Sequence, residues 1–273
     1  LAGPGSPAAS AAVTPDAYCQ QRAAASGSSF YYSFLFLEPR RRQAITALYA
    51  FCREVDDVVD ECPDAALART KLAWWRGEVQ ALYEGRPTHP VTQALITSLK
   101  QFSLPQEQLQ EIIDGMEMDL EQASYADFKA LHLYCYRVAS VVGLLAAEIF
   151  GYSDRQTLKY AHDLGLAFQL TNIIRDIGED ARRGRVYLPQ DELTRFGVTA
   201  DDLLHARYGE SFSRLMAFQV ERARELYRQA FAQLPAADRK AQRAGLIMAA
   251  IYQATLDEIE RDNYRVLDQR ISL

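Results

Sequence analysis

The spacing of the apolar residues constrains the fold of this chain most strongly, since from about Asp16 onward they recur mostly three and four positions apart. This is the period of an α-helix with one buried face, and no segment alternates over the length of a strand. In Arg42–Asp60, for example, the apolar side chains form a single stripe. The pattern therefore predicts an all-α chain.

The same spacing predicts several further helices, separated mostly by Gly and Pro residues. They are Lys71–Tyr83, Gln106–Leu120, Leu131–Phe150, Arg155–Ile177, Phe212–Leu234 and Arg239–Val266. The stretches VASVVGLLAAEIF and LGLAFQLTNII are apolar on more than one face, so we expect them inside a helical bundle. Such a bundle can enclose a deep apolar cavity.

Residues 1–15 are small, uncharged and rich in Ala, Gly, Pro and Ser, and we expect a disordered tail there. They lack the basic start and apolar middle of a signal peptide. After them the chain has no long linker and no internal repeat, which predicts a single domain over residues 16–273. Four scattered cysteines without a CxxC pair are typical of free thiols, so we expect a cytoplasmic protein.

Bulk composition argues against two other classes of protein. The net charge of −6 argues against a nucleic-acid partner, because phosphate binding requires a basic stripe. No run of 18 or more apolar residues is present, which argues against a membrane-spanning helix.

The first acidic segment, REVDDVVDE at residues 53–61, follows an apolar, aromatic run. Asp56 and Asp60 are four positions apart, so on a helix they share one face. Two such carboxylates raise each other's proton affinity unless a cation lies between them, and oxygen ligands at this spacing suit Mg²⁺. For this segment alone a solvated helix end is the better interpretation. Glu54 and Glu61 are expected to face solvent.

The second acidic segment, QLTNIIRDIGEDARRGR, changes that interpretation. Asn172, Asp176 and Asp180 again fall on one helix face, at i, i+4 and i+8, and they follow a segment too apolar for the surface. Polar groups that emerge from a core need partners. We therefore expect both segments to share Mg²⁺ ions, held by Asp56, Asp60, Asn172, Asp176 and Asp180.

Arginines lie beside both acidic segments. Arg53 precedes Asp56 by three positions, and Arg175 adjoins Asp176. Three more follow in a glycine-containing stretch: Arg182, Arg183 and Arg185. Guanidinium groups match phosphate geometry, although ordinary ion pairing along a helix explains Arg182 and Arg183 equally well. An apolar cavity with metal ions and arginines at its mouth suits a diphosphate with a long hydrocarbon tail.

From about Ser26 to Leu273 the chain resembles the squalene/phytoene synthase family, the head-to-head prenyl transferases. The segments that carry the resemblance are SGSSFYYSF, ALYAFCREVDDVVDE, DGMEMDL, YCYRVASVVG, LGLAFQLTNIIRDIGED and GRVYLP. The resemblance implies an isoprenoid-synthase-type helical bundle around a central apolar cavity. Within the family, SGSSFYYSFLFL, CREVDDVVDE and KLAWWRGEV are most similar to the bacterial presqualene diphosphate synthases of hopanoid pathways.

The resemblance also implies roles for individual residues. Metal-binding and catalytic aspartates are implied at Asp56, Asp60, Asp176 and Asp180, with Asn172 beside them. Contacts to diphosphate are implied at Tyr49, Arg53, Tyr134, Arg175 and Arg270. Cavity-lining positions are Phe30, Val138, Val142, Gly143 and Gln169. Tyr187 and Tyr252 match aromatic residues near the reacting carbons. Tyr252 and the departing pyrophosphate are the candidate proton acceptors.

The implied reaction joins two farnesyl diphosphates with the help of several Mg²⁺ ions. The allylic cation of one molecule attacks the 2,3-double bond of the other, and proton loss closes a cyclopropane to give presqualene diphosphate and pyrophosphate. NADPH is not expected for this step. Because substrate and product are so apolar, we hypothesise contact with the inner membrane surface.

The sequence leaves three alternatives open. The first is a phytoene or dehydrosqualene synthase of the same family. The second is a class I terpene cyclase, whose second metal motif has the same spacing. The third is a non-catalytic helical scaffold, which the presence of all four aspartates disfavours.

Overall fold

The computed structural model describes residues 12–26 and 29–272, and within them all regular structure is helical. The helices are α1 Pro15–Ala25, α2 Ser29–Phe34, α3 Pro39–Glu61, α4 Ala65–Tyr83, α5 Pro90–Leu99, α6 Gln106–Glu121, α7 Phe128–Cys135, α8 Val141–Phe150, α9 Gln156–Arg175, α10 Ile177–Arg182, α11 Gln190–Phe196, α12 Ala200–Leu204, α13 Glu210–Gln233 and α14 Arg243–Arg261. A π-helical segment, Tyr136–Ser140, joins α7 to α8. The predicted all-α class is confirmed.

Each long helix expected from the sequence is present, with differences at the ends. The last predicted helix, Arg239–Val266, is shorter than expected, because α14 begins at Arg243 and ends at Arg261. The sequence pattern did not predict α5, whose ten residues are too few for a clear helical period. Residues 1–11 lie outside the described residues, so the predicted disorder there stays a prediction. The helix α1 begins at Pro15, one residue inside the predicted tail.

Capping residues and glycines set the ends of several helices. The Asp64 side chain accepts a hydrogen bond from the Ala66 amide at 2.9 Å at the start of α4. Asp127 accepts one from the Ala130 amide at 2.8 Å at the start of α7. At the end of α8, Gly151 has a φ of 93°, a backbone conformation that favours glycine.

The helix from Phe128 to Phe150, formed by α7, the π segment and α8, lies at the centre of the bundle. It has the length and apolar composition of a membrane span. However, its π segment packs against both α6 and α9, and α8 packs along α9. Its contacts within the bundle therefore account for the apolar character that the sequence shows.

Two clusters of buried side chains form the core. One is built mainly from the first six helices and α8, and the other mainly from α9 to α14 with α7. Val138, in the π segment, packs against both clusters. Helices α8 and α9 belong mainly to different clusters, pack against each other and also line the cavity. These several contacts explain why both helices are apolar on more than one face.

Candidate active site

One cavity of about 650 Å³ is lined by residues of α2, α3, α6, α7, the π segment, α8, α9, α10, α14, the loop after α10 and the chain after α14. All of the site residues predicted from the sequence line it: Phe30, Tyr49, Arg53, Asp56, Asp60, Tyr134, Val138, Val142, Gly143, Gln169, Asn172, Arg175, Asp176, Asp180, Tyr187, Tyr252 and Arg270. Residues separated by more than two hundred positions thus meet at one site.

The first acidic segment forms the last two turns of α3. Arg53 lies 3.1 Å from Asp56 and donates to Asp57 at 3.0 Å. Asp56 and Asp60 line the cavity. Asp57 pairs with Arg22 of α1 as well. The expectation that Glu54 faces solvent is wrong, because its half-buried carboxylate pairs with Arg22 at 3.2 Å.

The second acidic segment spans a junction between two helices. The expectation of one continuous helix is wrong, since α9 ends at Arg175 and Asp176, with φ −105° and ψ 13°, separates it from α10. Helical i to i+4 hydrogen bonds nevertheless still link Asn172, Asp176 and Asp180 across the bend. The Asp176 amide donates to the Asn172 carbonyl at 3.0 Å, and the Asp180 amide donates to the Asp176 carbonyl at 2.8 Å.

The loop after α10 brings the two acidic segments together. Arg185 donates to Asp60 at 2.8 Å and to the Val59 carbonyl at 3.2 Å. Arg183 lies 3.4 Å from Glu179 and 3.9 Å from Asp60. Both of these arginines line the cavity.

The third arginine of that stretch, Arg182, has a different position. It donates to the Leu267 carbonyl at 2.6 Å and so holds the chain after α14 against α10. Gly178 permits this approach, because a Cβ atom there would lie 2.0 Å from the Leu267 carbonyl oxygen. This contact between the chain after α14 and α10 brings Arg270 within 3.3 Å of Asp176. Arg175 also donates two hydrogen bonds to Asp176.

Asp119 is a site residue that the sequence reasoning missed. It lines the cavity near the end of α6 and accepts hydrogen bonds from Tyr187 at 2.6 Å and from Tyr134 at 3.1 Å. The signal was available, because Asp119 falls at i+7 from the buried Ile112 and at i+3 from the buried Met116. A carboxylate on the inward face of a helix needs polar partners, which for Asp119 are the two tyrosines.

The two acidic segments form the mouth of the cavity, with Asp56, Asp60, Asp176 and Asp180 in its lining. Burial and mutual repulsion dominate the electrostatics there. Burial, and next the charge of Asp60, raises the pKa of Asp56 to about 7. Burial, and next the charge of Asp176, raises the pKa of Asp180 to about 7. Burial also raises the pKa of Asp119. A divalent cation would relieve this excess of negative charge.

The donors at the mouth fit Mg²⁺. They are hard oxygen atoms, and the buried Oδ1 atom of Asn172 has no hydrogen-bond partner among the described residues. Across residues 12–26 and 29–272, no group of three His, Cys, Asp or Glu side chains is arranged to hold a metal ion. Mg²⁺ takes only one or two carboxylates from the protein, and water and substrate phosphates complete its shell.

Aromatic side chains line the cavity below the mouth. The Phe30 ring stacks on Tyr252 with centroids 5.0 Å apart, and Phe168 lies 5.0 Å from Tyr252. Tyr252 lines the cavity together with Asn172 and Arg175 of the mouth. Tyr252 therefore connects the apolar interior to the charged mouth.

The comparisons with known proteins agree with this geometry. The family model for squalene/phytoene synthase matches residues 23–273. A phytoene synthase of Arthrospira platensis is 37% identical over 274 residues, which cover 95% of this chain and 89% of the relative.

Two solved structures are similar over most of the chain. A dehydrosqualene synthase in complex with a ligand has a TM-score of 0.82 and 30% identity, covering 93% of this chain and 89% of its own. The squalene synthase HpnC from Alicyclobacillus acidocaldarius has a TM-score of 0.80 and 29% identity, covering 92% and 94%. The isoprenoid-synthase-type fold expected from the sequence is confirmed, and the chain belongs to the squalene/phytoene synthase family.

Proposed function

We propose that this prenyl transferase condenses two farnesyl diphosphates head to head, giving presqualene diphosphate and pyrophosphate in a Mg²⁺-dependent reaction. The observation that carries the proposal is the meeting of both acidic segments and five arginines at the mouth of one apolar cavity. A charged mouth and an apolar interior match the two ends of a prenyl diphosphate.

The arginines at the mouth are suited to bind the diphosphate groups. They are Arg53, Arg175, Arg183, Arg185 and Arg270. Each of these arginines pairs with a carboxylate of the same mouth. A diphosphate that binds there would therefore exchange existing ion pairs for new ones. Mg²⁺ held by Asp56, Asp60, Asn172, Asp176 and Asp180 would neutralise the charge of the leaving diphosphate.

The interior walls are suited to hold the hydrocarbon tails and to exclude water from the carbocation. Along α9 the lining runs from Asn172 at the mouth to the buried Tyr160, about 18 Å at 1.5 Å per residue. The faces of Phe30, Phe168 and Tyr252 lie near the mouth end, where aromatic rings can stabilise a cation.

The departing pyrophosphate is the better of the two candidate proton acceptors. Burial raises the pKa of Tyr252, so its phenol is protonated at neutral pH and is a poor base. The arginines that surround the pyrophosphate would hold it beside the reacting carbons after the bond breaks. The condensation itself is redox-neutral, so NADPH is not needed for it.

Two observations bear on the length of the substrate. The resemblance of three segments to presqualene diphosphate synthases, and the likeness to a dehydrosqualene synthase and to the squalene synthase HpnC, favour a C15 substrate. The Arthrospira relative is a phytoene synthase, which favours the alternative of a C20 substrate. Both reactions use the same mouth, so the product decides between them.

Mass spectrometry of the products made from farnesyl or geranylgeranyl diphosphate, with Mg²⁺ and without NADPH, tests the proposal. We expect presqualene diphosphate from the C15 substrate. Phytoene from the C20 substrate alone would contradict the proposal. A product with an undoubled carbon count would instead indicate a terpene cyclase.

The aspartate variants test whether the mouth is catalytic. We expect Asp56→Ala and Asp176→Ala each to abolish Mg²⁺-dependent pyrophosphate release while the far-UV circular dichroism stays unchanged. Full release by both variants would contradict an active site at this mouth and would leave the scaffold alternative.

We also propose a cytoplasmic location, where the four free cysteines stay reduced.

A further inference from the structure

An apolar patch is exposed on the outer side of α2. Phe36 and Tyr32 are 70% and 65% exposed, the highest values among the large hydrophobic side chains of the described residues. Leu35 and Ile247 are exposed beside them. We call Tyr32, Leu35, Phe36 and Ile247 the α2 patch. Large apolar side chains gathered in this way mark an interaction surface.

The four residues of the α2 patch belong to one surface. Helix α2 packs against α14. Arg243, at the start of α14, donates to the Phe36 carbonyl at 3.2 Å. Ile247 lies four residues after Arg243, on the same face of α14. Contact between the two elements therefore joins Ile247 to the aromatic residues of the α2 region.

Basic residues adjoin the α2 patch in the chain. Arg40 and Arg42 are exposed in the first turn of α3, where Arg40 pairs with the exposed Glu38. Lys240 is exposed three residues before α14, and Arg243 is exposed at its first residue. Within residues 12–26 and 29–272, Arg42, Lys240 and Arg243 make no ion pair with a carboxylate. Exposed cations without an ion pair occur elsewhere among the described residues too, for example Arg69 and Lys71 on α4. Those near the α2 patch differ because they border Phe36 and Tyr32, the two most exposed large hydrophobic side chains of the described residues.

We infer that the α2 patch and its basic border form a docking surface for an anionic lipid bilayer. Exposed aromatic and aliphatic side chains enter the boundary between headgroups and acyl chains, and lysines and arginines around them pair with anionic headgroups. Charge complementarity therefore favours a lipid surface over an apolar protein partner.

The position of the patch relative to the cavity strengthens this inference. On α2, Phe30 lines the cavity, whereas Tyr32 lies on the exposed side. On α14, Met248 and Ile251 line the cavity, whereas Ile247 is exposed. One layer of helices thus separates the cavity from the docked bilayer. The inference does not depend on which prenyl product the site makes.

Co-flotation of the full chain with vesicles tests the docking surface. We expect binding to vesicles of phosphatidylcholine and phosphatidylglycerol, and much weaker binding to phosphatidylcholine alone. The pair Arg42→Gln and Lys240→Gln should lower the partition coefficient about thirtyfold, since each removes one cation near an anionic surface. The pair Tyr32→Ser and Phe36→Ser should lower it at least as much.

Matched controls lie on α4 and elsewhere on the surface. Leu67 and Trp74 are 46% and 49% exposed, and Leu67→Ser with Trp74→Ser should leave flotation unchanged. Arg207→Gln with Arg228→Gln should also leave it nearly unchanged. Pyrophosphate release from detergent-dispersed substrate should be the same in all four double variants, which shows that each is folded.

Three results would overturn the inference. One is a wild-type chain that does not float with anionic vesicles. Another is that the Tyr32→Ser and Phe36→Ser variant binds vesicles as well as the wild type does, or that the Leu67→Ser and Trp74→Ser control loses as much vesicle binding as the patch variant. The third is a dimer in size-exclusion chromatography that dissociates only in the patch variant, without vesicle binding, which would make the patch an interface between two copies.

Discussion

Arg185 donates a hydrogen bond to Asp60 over 2.8 Å, although the two residues are 125 positions apart in the chain. This contact joins the loop after the second acidic segment to the end of the first. It places a guanidinium group between carboxylates that would otherwise repel one another, including Asp119, whose charge acts on Arg185. The mouth of the cavity is thus held together by an arginine that can also meet an anion.

Replacing Arg185 should weaken catalysis more than it weakens the fold. We expect Arg185→Gln to lower kcat/KM about 10- to 100-fold, because a hydrogen bond to a charged group contributes about 1.5–3 kcal/mol. Initial rates of pyrophosphate release measure this. The exposed Arg207→Gln, which removes the same charge, is the control. An unchanged kcat/KM would mean that Arg185 only neutralises Asp60.

Asp119 should be needed for activity through the tyrosines that it holds. In Asp119→Asn the amide replaces a carboxylate that accepts from Tyr134 and Tyr187, so both rings lose a charge-assisted partner. We expect kcat to fall at least about tenfold.

Removing one donor at a time checks the role of Asp119. Tyr134→Phe and Tyr187→Phe should each reproduce part of the loss in kcat. If Asp119→Asn left kcat unchanged while both tyrosine variants lost activity, the tyrosines would act independently of the carboxylate.

The stability of the metal-free protein should depend on pH through Asp56. Its pKa is about 7 in the folded chain against an ordinary value of 3.8, so the folded state holds this proton more tightly. The resulting stabilisation is present below about pH 4 and is lost as the pH rises through about 7. We expect Asp56→Asn, which stays neutral, to melt at a higher temperature than the wild type above pH 7.

Thermal unfolding in a chelator-containing buffer measures this difference. It should shrink towards zero near pH 4, where the wild-type carboxyl group is protonated. A difference in melting temperature that does not vary with pH would contradict burial as the cause of the shifted pKa.

Gly165 should be intolerant of a side chain because α9 approaches the π segment closely there. A Cβ atom at this position would lie 2.6 Å from the Ala139 carbonyl oxygen. We expect Gly165→Ala to lower the free energy of unfolding by about 1–3 kcal/mol, as overpacking does. Chemical denaturation measures it.

Gly77 provides the matched control for that substitution. It lies in the interior of α4, and a Cβ atom there would meet nothing within 4 Å. Gly77→Ala should therefore raise the free energy of unfolding by about 0.5–1 kcal/mol, because alanine is the better helix former. Equal effects of the two substitutions would contradict the close approach at Gly165.

Gly143, predicted as a cavity-lining residue, shows a second reason for a glycine at the same interface. It does line the cavity, but a Cβ atom there would also lie 2.6 Å from the Ala161 carbonyl oxygen. Periodicity could not reveal this contact, because it depends on how closely two helices approach and not on which face of each is apolar.

The residues of the mouth show where sequence reasoning reached its limit. The spacing of Asp56 and Asp60 and of Asn172, Asp176 and Asp180 was enough to predict two oxygen-rich faces, because helical period is a local property. The bend at Asp176 and the pairing of Glu54 with Arg22 were not visible, since each depends on a neighbouring element.

The amino-acid sequence by itself determined the helical class, the apolar interior and the residue types of the site, because the period of the apolar residues and the chemistry of each side chain are local properties of the sequence. Only the tertiary structure decided which of three arginines meet the site: Arg183 and Arg185 face the cavity, whereas Arg182 holds the chain at Leu267. It also decided that Asp119 belongs to the site and that the α2 patch is left exposed. These outcomes depend on packing between helices distant in sequence, which no local spacing encodes.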